Sequence, residues 1–160
     1  MIHTNDTASI LPRITIGAFK HFAGISEETE AFTANVLLDG KLIGYADNHG
    51  KGGCTHVRFI GDNRHEMEVH QHVLADYVDT LVDAKLQEKH LAKVVAKVRR
   101  DAHKSAMYIK VGHEKGQYSA FKSITDANRQ KAIDVAKARP DFKMMVADMT
   151  DAEILAHFTA

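Results

Sequence analysis

Residues 39–53 hold five of the ten glycines of this 160-residue chain and set the strongest constraint on its fold. The first of these glycines forms an Asp39-Gly40 pair between two runs of alternating apolar and polar residues. Alternation is typical of a half-buried strand, and an Asp-Gly pair supplies the two positive φ angles of a type I′ turn. The segment therefore predicts a β-hairpin, with these facing pairs: Leu38 and Lys41, Val36 and Ile43, Ala34 and Tyr45, Phe32 and Asp47.

More strands and a long helical stretch accompany the hairpin. The alternation over 14–22 and the residues 57–60 predict two further strands. Residues 64–100 contain neither glycine nor proline, and their apolar residues recur every three or four positions. This pattern predicts one long helix, or two helices with a break near 84–90. The last third predicts a hairpin of residues 107–111 and 118–122, a helix over 125–139, a short strand over 142–146 and a final helix after Thr150.

The fold class that follows is α+β. We expect an N-terminal antiparallel β-meander, a long central helix or pair of helices, and a small C-terminal β-hairpin with helices. The predicted organisation is a loose tail over 1–13, the meander with its glycine-rich loop over 14–61, a helical spine over 62–104 and a C-terminal β-α lobe over 105–160.

The composition limits the classes of protein to which this chain can belong. The apolar fraction of 44% and the charged fraction of 26% are typical of a soluble globular protein. No apolar run approaches the ~20 residues of a membrane-spanning helix, and the N-terminus lacks the pattern of a signal peptide. The single Cys54 excludes an intramolecular disulfide. We therefore expect a cytoplasmic protein with no membrane partner.

The glycines at 50, 52 and 53 form the leading candidate site. A phosphate-binding loop opens a helix, whereas a strand follows these glycines, so the sequence excludes a P-loop or a dinucleotide fingerprint. A loop without side chains still lets a partner or an anion approach the backbone closely, and nearby side chains supply charge. A tight connection between strands, without any ligand, is the alternative. The candidate partner-binding residues are Asn48, His49, Gly50, Lys51, Gly52, Gly53 and Arg58.

Two enzymatic alternatives are weaker. Cys54 and His56 lie at i and i+2 and would share a face of a strand, but a single cysteine is expected to be buried. The second is a metal site on the helix, where the pairs Glu66–His70 and Glu68–His72 point in nearly opposite directions. With His65, these residues are better explained as solvated helix polarity. We therefore predict no catalytic residue, metal or cofactor.

A basic stripe on the predicted helix supports nucleic-acid binding as the alternative function. Four lysines recur at i+4 spacing and two arginines follow them, and such a stripe can track a phosphate backbone. Against this, lysine plus arginine and aspartate plus glutamate each total 21, and no aromatic residues suggest base stacking. A solvated face that complements the helix dipole is the simpler interpretation. The residues are Lys85, Lys89, Lys93, Lys97, Arg99 and Arg100.

Residues 26–54 carry a resemblance. Their Ser-x-Glu-Thr-x-Ala-Phe opening, Asp-Gly-Lys hairpin and Asn-x-Gly-x-Gly-Gly-Cys loop are similar to those of uncharacterised small proteins encoded by bacteriophages and other mobile elements. The resemblance brings no established activity; it implies an accessory protein that acts by binding in a host cell.

The leading hypothesis is therefore a non-enzymatic binding protein. The resemblance implies a factor that inhibits or regulates a host system, for example a defence system. Its partner would be a host protein or a nucleotide-like ligand, contacted by the hairpin and the glycine loop. The long helix also favours a homo-oligomer, because an exposed apolar stripe needs cover.

Overall fold

The computed structural model describes residues 7–62 and 64–159 and has the predicted α+β architecture. The chain divides into two compact units, Met1–Leu86 and Gln87–Ala160. Residues 1–6 of the predicted tail lie outside the described residues.

The first unit contains a four-stranded antiparallel sheet. Its strands follow one another in the order β1-β2-β3-β4, so each strand pairs with its neighbour in sequence and the predicted meander is confirmed. The elements are helix α1 (Thr7–Ile10), a 3₁₀ turn (Leu11–Arg13), β1 (Ile14–His21), a second 3₁₀ turn (Ala23–Ile25), β2 (Phe32–Leu38), β3 (Lys41–Asn48), β4 (His56–Phe59), helix α2 (Arg64–Glu68) and helix α3 (Gln71–Ser105), which continues into the second unit.

The structure differs from the sequence prediction in the tail and in the helical stretch, where α2 and α3 are separate helices rather than one helix from residue 64. Residues 7–13 form helical turns rather than a loose tail, and the side chain of Ile10 is almost fully buried in the core. Burial of an isoleucine is worth about 1.5–3 kcal/mol, which explains why the segment is held. Helix α3 is unbroken over 35 residues, so the alternative of a break near 84–90 is wrong.

The β2–β3 hairpin keeps the predicted turn but not the predicted register. Asp39 and Gly40 have positive φ angles of 49° and 78°, and Leu38 faces Lys41 as expected. A bulge follows, so that Val36 faces Gly44 instead of Ile43. Ala34 therefore faces Ala46, and Phe32 faces Asn48. A Cβ atom on Gly44 would lie 2.6 Å from the carbonyl oxygen of Arg58, so only glycine fits at this position.

One face of the sheet packs on helix α3 and forms the core of the first unit. Alternate residues of β2 are buried, and the buried positions of β3 and β4 continue the same face. The largest contributors from the sheet are Phe32, Val36, Val57 and Phe59, and those from α3 are Leu74, Val78 and Val82.

The second unit contains a two-stranded antiparallel sheet. Its strands are β5 (Tyr108–Lys110) and β6 (Phe142–Met145), and its other elements are helix α4 (Asp126–Lys137), a 3₁₀ turn (Val146–Asp148) and helix α5 (Asp151–Phe158). Capping boxes at Thr125 and Thr150 open the two helices, because each threonine and the residue three positions later satisfy one another's backbone N–H groups.

The C-terminal hairpin prediction is wrong in its pairing. Strand β5 pairs with β6, which lies beyond helix α4, and residues 118–122 contribute only a single bridge between Ser119 and Tyr108.

None of the helices in the described ranges has the length and apolar character needed to cross a membrane.

Candidate functional site on the outer face of the sheet

The face of the sheet opposite the core carries two rows of polar and aromatic residues. In the first row Gly17, Asn35, Tyr45 and Arg58 are direct cross-strand partners on β1 to β4. In the second row the partners are Lys20, Thr33, Asp47 and His56. Because side chains alternate between the faces of a strand, these residues share the side that helix α3 leaves uncovered.

A bulge in β1 bends the edge of this face. The register shifts between Gly17 and Lys20, and Ala18 within the shift has a positive φ angle of 43°. A bulge bends a strand and re-aims its side chains, and a positive φ costs a residue with a Cβ about 1–2 kcal/mol. Phe19 instead packs towards the core, with its ring centroid 6.1 Å from that of Phe32.

The bent face borders an open cavity of about 540 Å³. This volume lies in the range of about 300–1,000 Å³ that is common for small-molecule sites. Three large side chains on its wall are unusually open to solvent, since Phe22 is 42%, Tyr45 43% and Ile25 55% exposed. The cavity therefore offers apolar and aromatic surface that the described residues of the first unit leave open to solvent.

Two cationic side chains, Arg58 and Lys20, and the histidine His49 lie at the same cavity. Arg58 lies 3.2 Å from Asp47 and His49 lies 3.6 Å from it, each measured from side-chain nitrogen to carboxylate oxygen. Lys20 also lines the cavity, and among the described residues it forms no ion pair. Asp47 is only 18% exposed and balances one of these charges, so the cavity keeps a positive excess. Such a site suits a ligand that combines a flat ring with an anionic group.

The glycine loop is attached to the end of β3 by Asn48. The side-chain oxygen of Asn48 accepts hydrogen bonds from the Thr29 hydroxyl and from the Gly50 N–H, both at 2.9 Å. Its amide nitrogen donates to the Gly53 carbonyl at 3.0 Å and to the Thr55 hydroxyl at 3.3 Å. An asparagine amide has two donor and two acceptor positions, and here the protein uses all four. The buried Asn48 side chain therefore organises the loop and offers no free group to a ligand.

Gly50 is also a structural residue. Its φ is +80°, it is buried, and a Cβ there would lie 2.6 Å from the Ile25 carbonyl. Its own carbonyl accepts the backbone N–H groups of Glu27 and Glu28 at 2.9 and 3.1 Å. These contacts fasten the loop to the connection between β1 and β2.

The following residues, 51–54, are exposed. Gly52 has a positive φ of 79° and lies against the carboxylate of Glu28, whereas Gly53 has open space where a Cβ would stand. Of the predicted partner-binding residues, the structure places Asn48, His49 and Arg58 at the cavity and leaves Lys51, Gly52 and Gly53 on the adjoining exposed loop.

A chain of side chains continues from the loop to helix α3. The Thr55 hydroxyl, which receives the amide N–H of Asn48, donates to Oδ1 of Asp79. Burial raises the pKa of the Asp79 carboxyl above its ordinary range; the Thr55 hydrogen bond opposes this increase, and the charges of Asp83 and Asp76 add to it.

Cys54 is exposed, so the expectation of a buried thiol is wrong. The loop ends before β4 begins, and Cys54 therefore lies outside the sheet that would bury it. His56 is exposed as well, and within the described ranges no hydrogen bond joins it to Cys54. The pairing of a nucleophile with a base that an activated cysteine requires is not formed by these two residues.

The histidines and acids after β4 do not gather into a metal site. His65 contacts Glu68 at 3.3 Å, and the side chain of Glu66 lies outside the described residues. Throughout residues 7–62 and 64–159, no three His, Cys, Asp or Glu side chains come together as metal ligands.

The residues of the predicted basic stripe fall into two groups on α3. Arg99 is directed to the second unit, where its Nε donates to Asp151 at 3.0 Å and its guanidinium also donates to the Met149 carbonyl. The other five side chains are exposed to solvent: Lys85, Lys89, Lys93, Lys97 and Arg100. Arg99 therefore anchors α5 and does not belong to an open basic surface.

Sequence reasoning missed several residues of the cavity. The outward position of Tyr45 was available from the alternation, because its neighbours Gly44 and Ala46 are the buried ones. The signal for Lys20, Phe22 and Ile25 was absent, because a bulge and a 3₁₀ turn bring them to the cavity. The chain matches no family model, no curated protein and no solved structure.

Proposed function

We propose that this protein is a non-enzymatic binding protein that holds a nucleotide-like ligand on the outer face of its sheet. The observation that carries this proposal is the 540 Å³ cavity in which exposed Tyr45 and Phe22 stand beside Arg58 and Lys20. A base would stack on an aromatic ring, and a phosphate would bind the cations. Of the Arg58 donors, the ion pair with Asp47 uses one N–H group, which leaves others for an anion.

The glycine loop has a supporting role in this proposal. Asn48 and Gly50 fix its course beside the cavity, and the exposed Lys51, Gly52 and Gly53 give a bound ligand a backbone surface to approach. The resemblance of residues 26–54 to small phage and mobile-element proteins extends the proposal to an accessory factor that regulates a host system through such a ligand. A host protein seated on the same face is the alternative partner.

Calorimetric titration with nucleoside mono-, di- and triphosphates and with dinucleotides tests the proposal. We expect one member of this panel to bind with one site per chain. Arg58→Ala should weaken it about 10- to 150-fold, the worth of a charged hydrogen bond. Tyr45→Ala should weaken it about 5- to 150-fold through lost stacking.

Arg64→Ala is the matched control, because Arg64 is a half-exposed arginine of α2 that pairs with Glu68 away from the cavity. Its affinity should equal that of the unmodified protein. Absence of binding by every member of the panel, or equal effects of the Arg58 and Arg64 substitutions, would overturn the proposal.

A further inference from the structure

The balanced charge of the whole chain conceals a division between its two units. Residues 1–86 contain 7 lysines and arginines against 12 aspartates and glutamates. Residues 87–160 contain 14 against 9, so the second unit carries a net charge of +5 and the first a net charge of −5. The overall neutrality that argued against a polyanionic partner therefore does not apply to the second unit.

Part of this positive charge is concentrated on one face of helix α3. At 3.6 residues per turn, Lys93, Lys97, Arg100 and Lys104 fall within an arc of about 60° and extend over about 16 Å of helix. All four are exposed. We call these four residues the basic face.

The basic face lies opposite the side of the helix that enters the core. Val95, Val98 and Ala102 are buried against the second unit, and the helical repeat places them about 180° away from the basic face. The acidic residues of this part of the helix, Glu88 and Asp101, lie outside the arc. The basic face is therefore not part of the buried core of the second unit.

Among the described residues, the four cations have no charged or hydrogen-bonding partner. The second unit neutralises other cations, as Arg99 with Asp151 and Lys110 with Asp141. In the described part of the chain, no ion pair or hydrogen bond engages the side chains of the basic face.

This arrangement costs stability. Lys93 and Lys97, and Arg100 and Lys104, stand at i,i+4, where like charges destabilise a helix by about 0.2–0.5 kcal/mol per pair. Only Lys104, in the last turn, gains appreciably from the helix dipole. Asp101, four residues after Lys97 and three before Lys104, offsets part of this cost, and an external polyanion would offset the rest.

We infer that the basic face binds the phosphate backbone of duplex nucleic acid, a function separate from the ligand cavity of the first unit. A row of four cations on a regular helix complements a polymer that presents one negative charge per about 1.7 Å. Helix α3 carries no phenylalanine, tyrosine or tryptophan after Tyr77, so stacking on unpaired bases is not available there. The contact is with the backbone and does not read sequence.

Fluorescence anisotropy of a labelled 20-base-pair DNA duplex with the full-length protein tests this inference. Four phosphate contacts predict a slope of about −3.6 for the logarithm of affinity against the logarithm of salt concentration. Affinity should therefore fall about 150-fold between 50 and 200 mM NaCl. Lys93→Ala with Lys97→Ala should halve the slope and reduce that fall to about 12-fold. The same titration with a labelled RNA duplex shows whether the protein prefers duplex DNA or duplex RNA.

Lys131→Ala with Lys137→Ala is the matched control, since it removes the same charge from exposed positions on α4 of the same unit. We expect it to leave the slope unchanged. An equal loss of slope in both variants would mean that binding depends on net charge alone, and this would overturn the inference. Absence of duplex binding at 50 mM NaCl would also overturn it. So would salt-dependent self-association, measured by sedimentation, that the Lys93/Lys97 variant abolishes without any duplex binding.

Discussion

The Thr55 hydroxyl donates a hydrogen bond to Oδ1 of Asp79, which fastens the end of the glycine-rich loop to helix α3. Thr55 in turn receives an N–H of Asn48, so a single chain of polar side chains runs from the sheet through the loop to the helix. The position of the loop is thus determined by side chains on both sides of it. The following predictions concern the groups that hold it.

Asn48→Ala should destabilise the protein by about 2–3 kcal/mol, because it leaves the buried Gly50 N–H and the groups of Thr29, Gly53 and Thr55 without their partner. Urea denaturation measures this loss. The control is His49→Ala, whose side chain is 81% exposed and should change the free energy of unfolding by no more than about 0.5 kcal/mol. Equal values for the two variants would contradict the role of Asn48.

Gly50→Ala should lower the stability of the protein, whereas Gly53→Ala should leave it almost unchanged. A Cβ at position 50 meets the Ile25 carbonyl and requires a positive φ, so we expect a loss of about 2 kcal/mol or more. A Cβ at position 53 meets open space at an ordinary φ, and the melting temperature should hardly move. Thermal denaturation of both variants checks this. A Gly50→Ala protein as stable as the unmodified one would contradict the clash of a Cβ at position 50 with the Ile25 carbonyl.

Asp79→Asn should stabilise the protein at pH 7, by less than about 1 kcal/mol because the site is only partly buried and solvent screens its charge. The pKa of Asp79 is higher in the folded than in the unfolded state, so the folded state binds the proton more tightly. The penalty for its charge is therefore present at neutral pH and disappears as the pH falls through the raised pKa towards the ordinary value of 3.8.

The difference between Asp79→Asn and the unmodified protein should accordingly shrink from pH 7 to pH 4 in urea titrations. Asp83→Asn should give a smaller gain with the same pH dependence, since Asp83 is exposed and acts on Asp79 only through its charge. A gain that increases on acidification would reverse the assigned direction of the pKa shift.

Cys54, the chain's single cysteine, should react fully with iodoacetamide in the native state. Because it is exposed and no hydrogen bond joins it to His56, its rate should be about that of the urea-unfolded chain. Intact-mass measurement over time gives both rates. A native rate ten times the unfolded one would indicate an activated thiol and favour an enzymatic role.

The fold could be predicted from the sequence wherever a local signal determines the structure. Asp39-Gly40 set the hairpin turn, and Thr150 with Glu153 set the start of α5. The register beyond the bulge was not predicted because alternation alone does not show that Ile43 is left out of the pairing with β2. Gly44 was the local sign of this bulge, since a glycine inside a strand often marks one.

The candidate site could be predicted only in part. Arg58 and His49 lie at the cavity as part of the predicted set, but Asn48 proved to be a structural residue through contacts with Thr29, 19 residues before it, and with Thr55 at the end of the loop. Its hydrogen bond to the Gly50 N–H is an Asx turn, which Asn-x-Gly favours and which could have indicated this role. The charge division could not be predicted, because the boundary between the two units lies inside helix α3, where the sequence carries no break.

The meander of the first unit has a consequence for synthesis of the chain. Its four strands end at Phe59, but the face they bury is covered by side chains up to Val82 of α3. At about 5–20 residues per second, a ribosome takes about one to five seconds to add that stretch. During this interval α3 does not yet cover Val36 and Phe59, and exposed apolar surface of this kind makes a growing chain prone to aggregation.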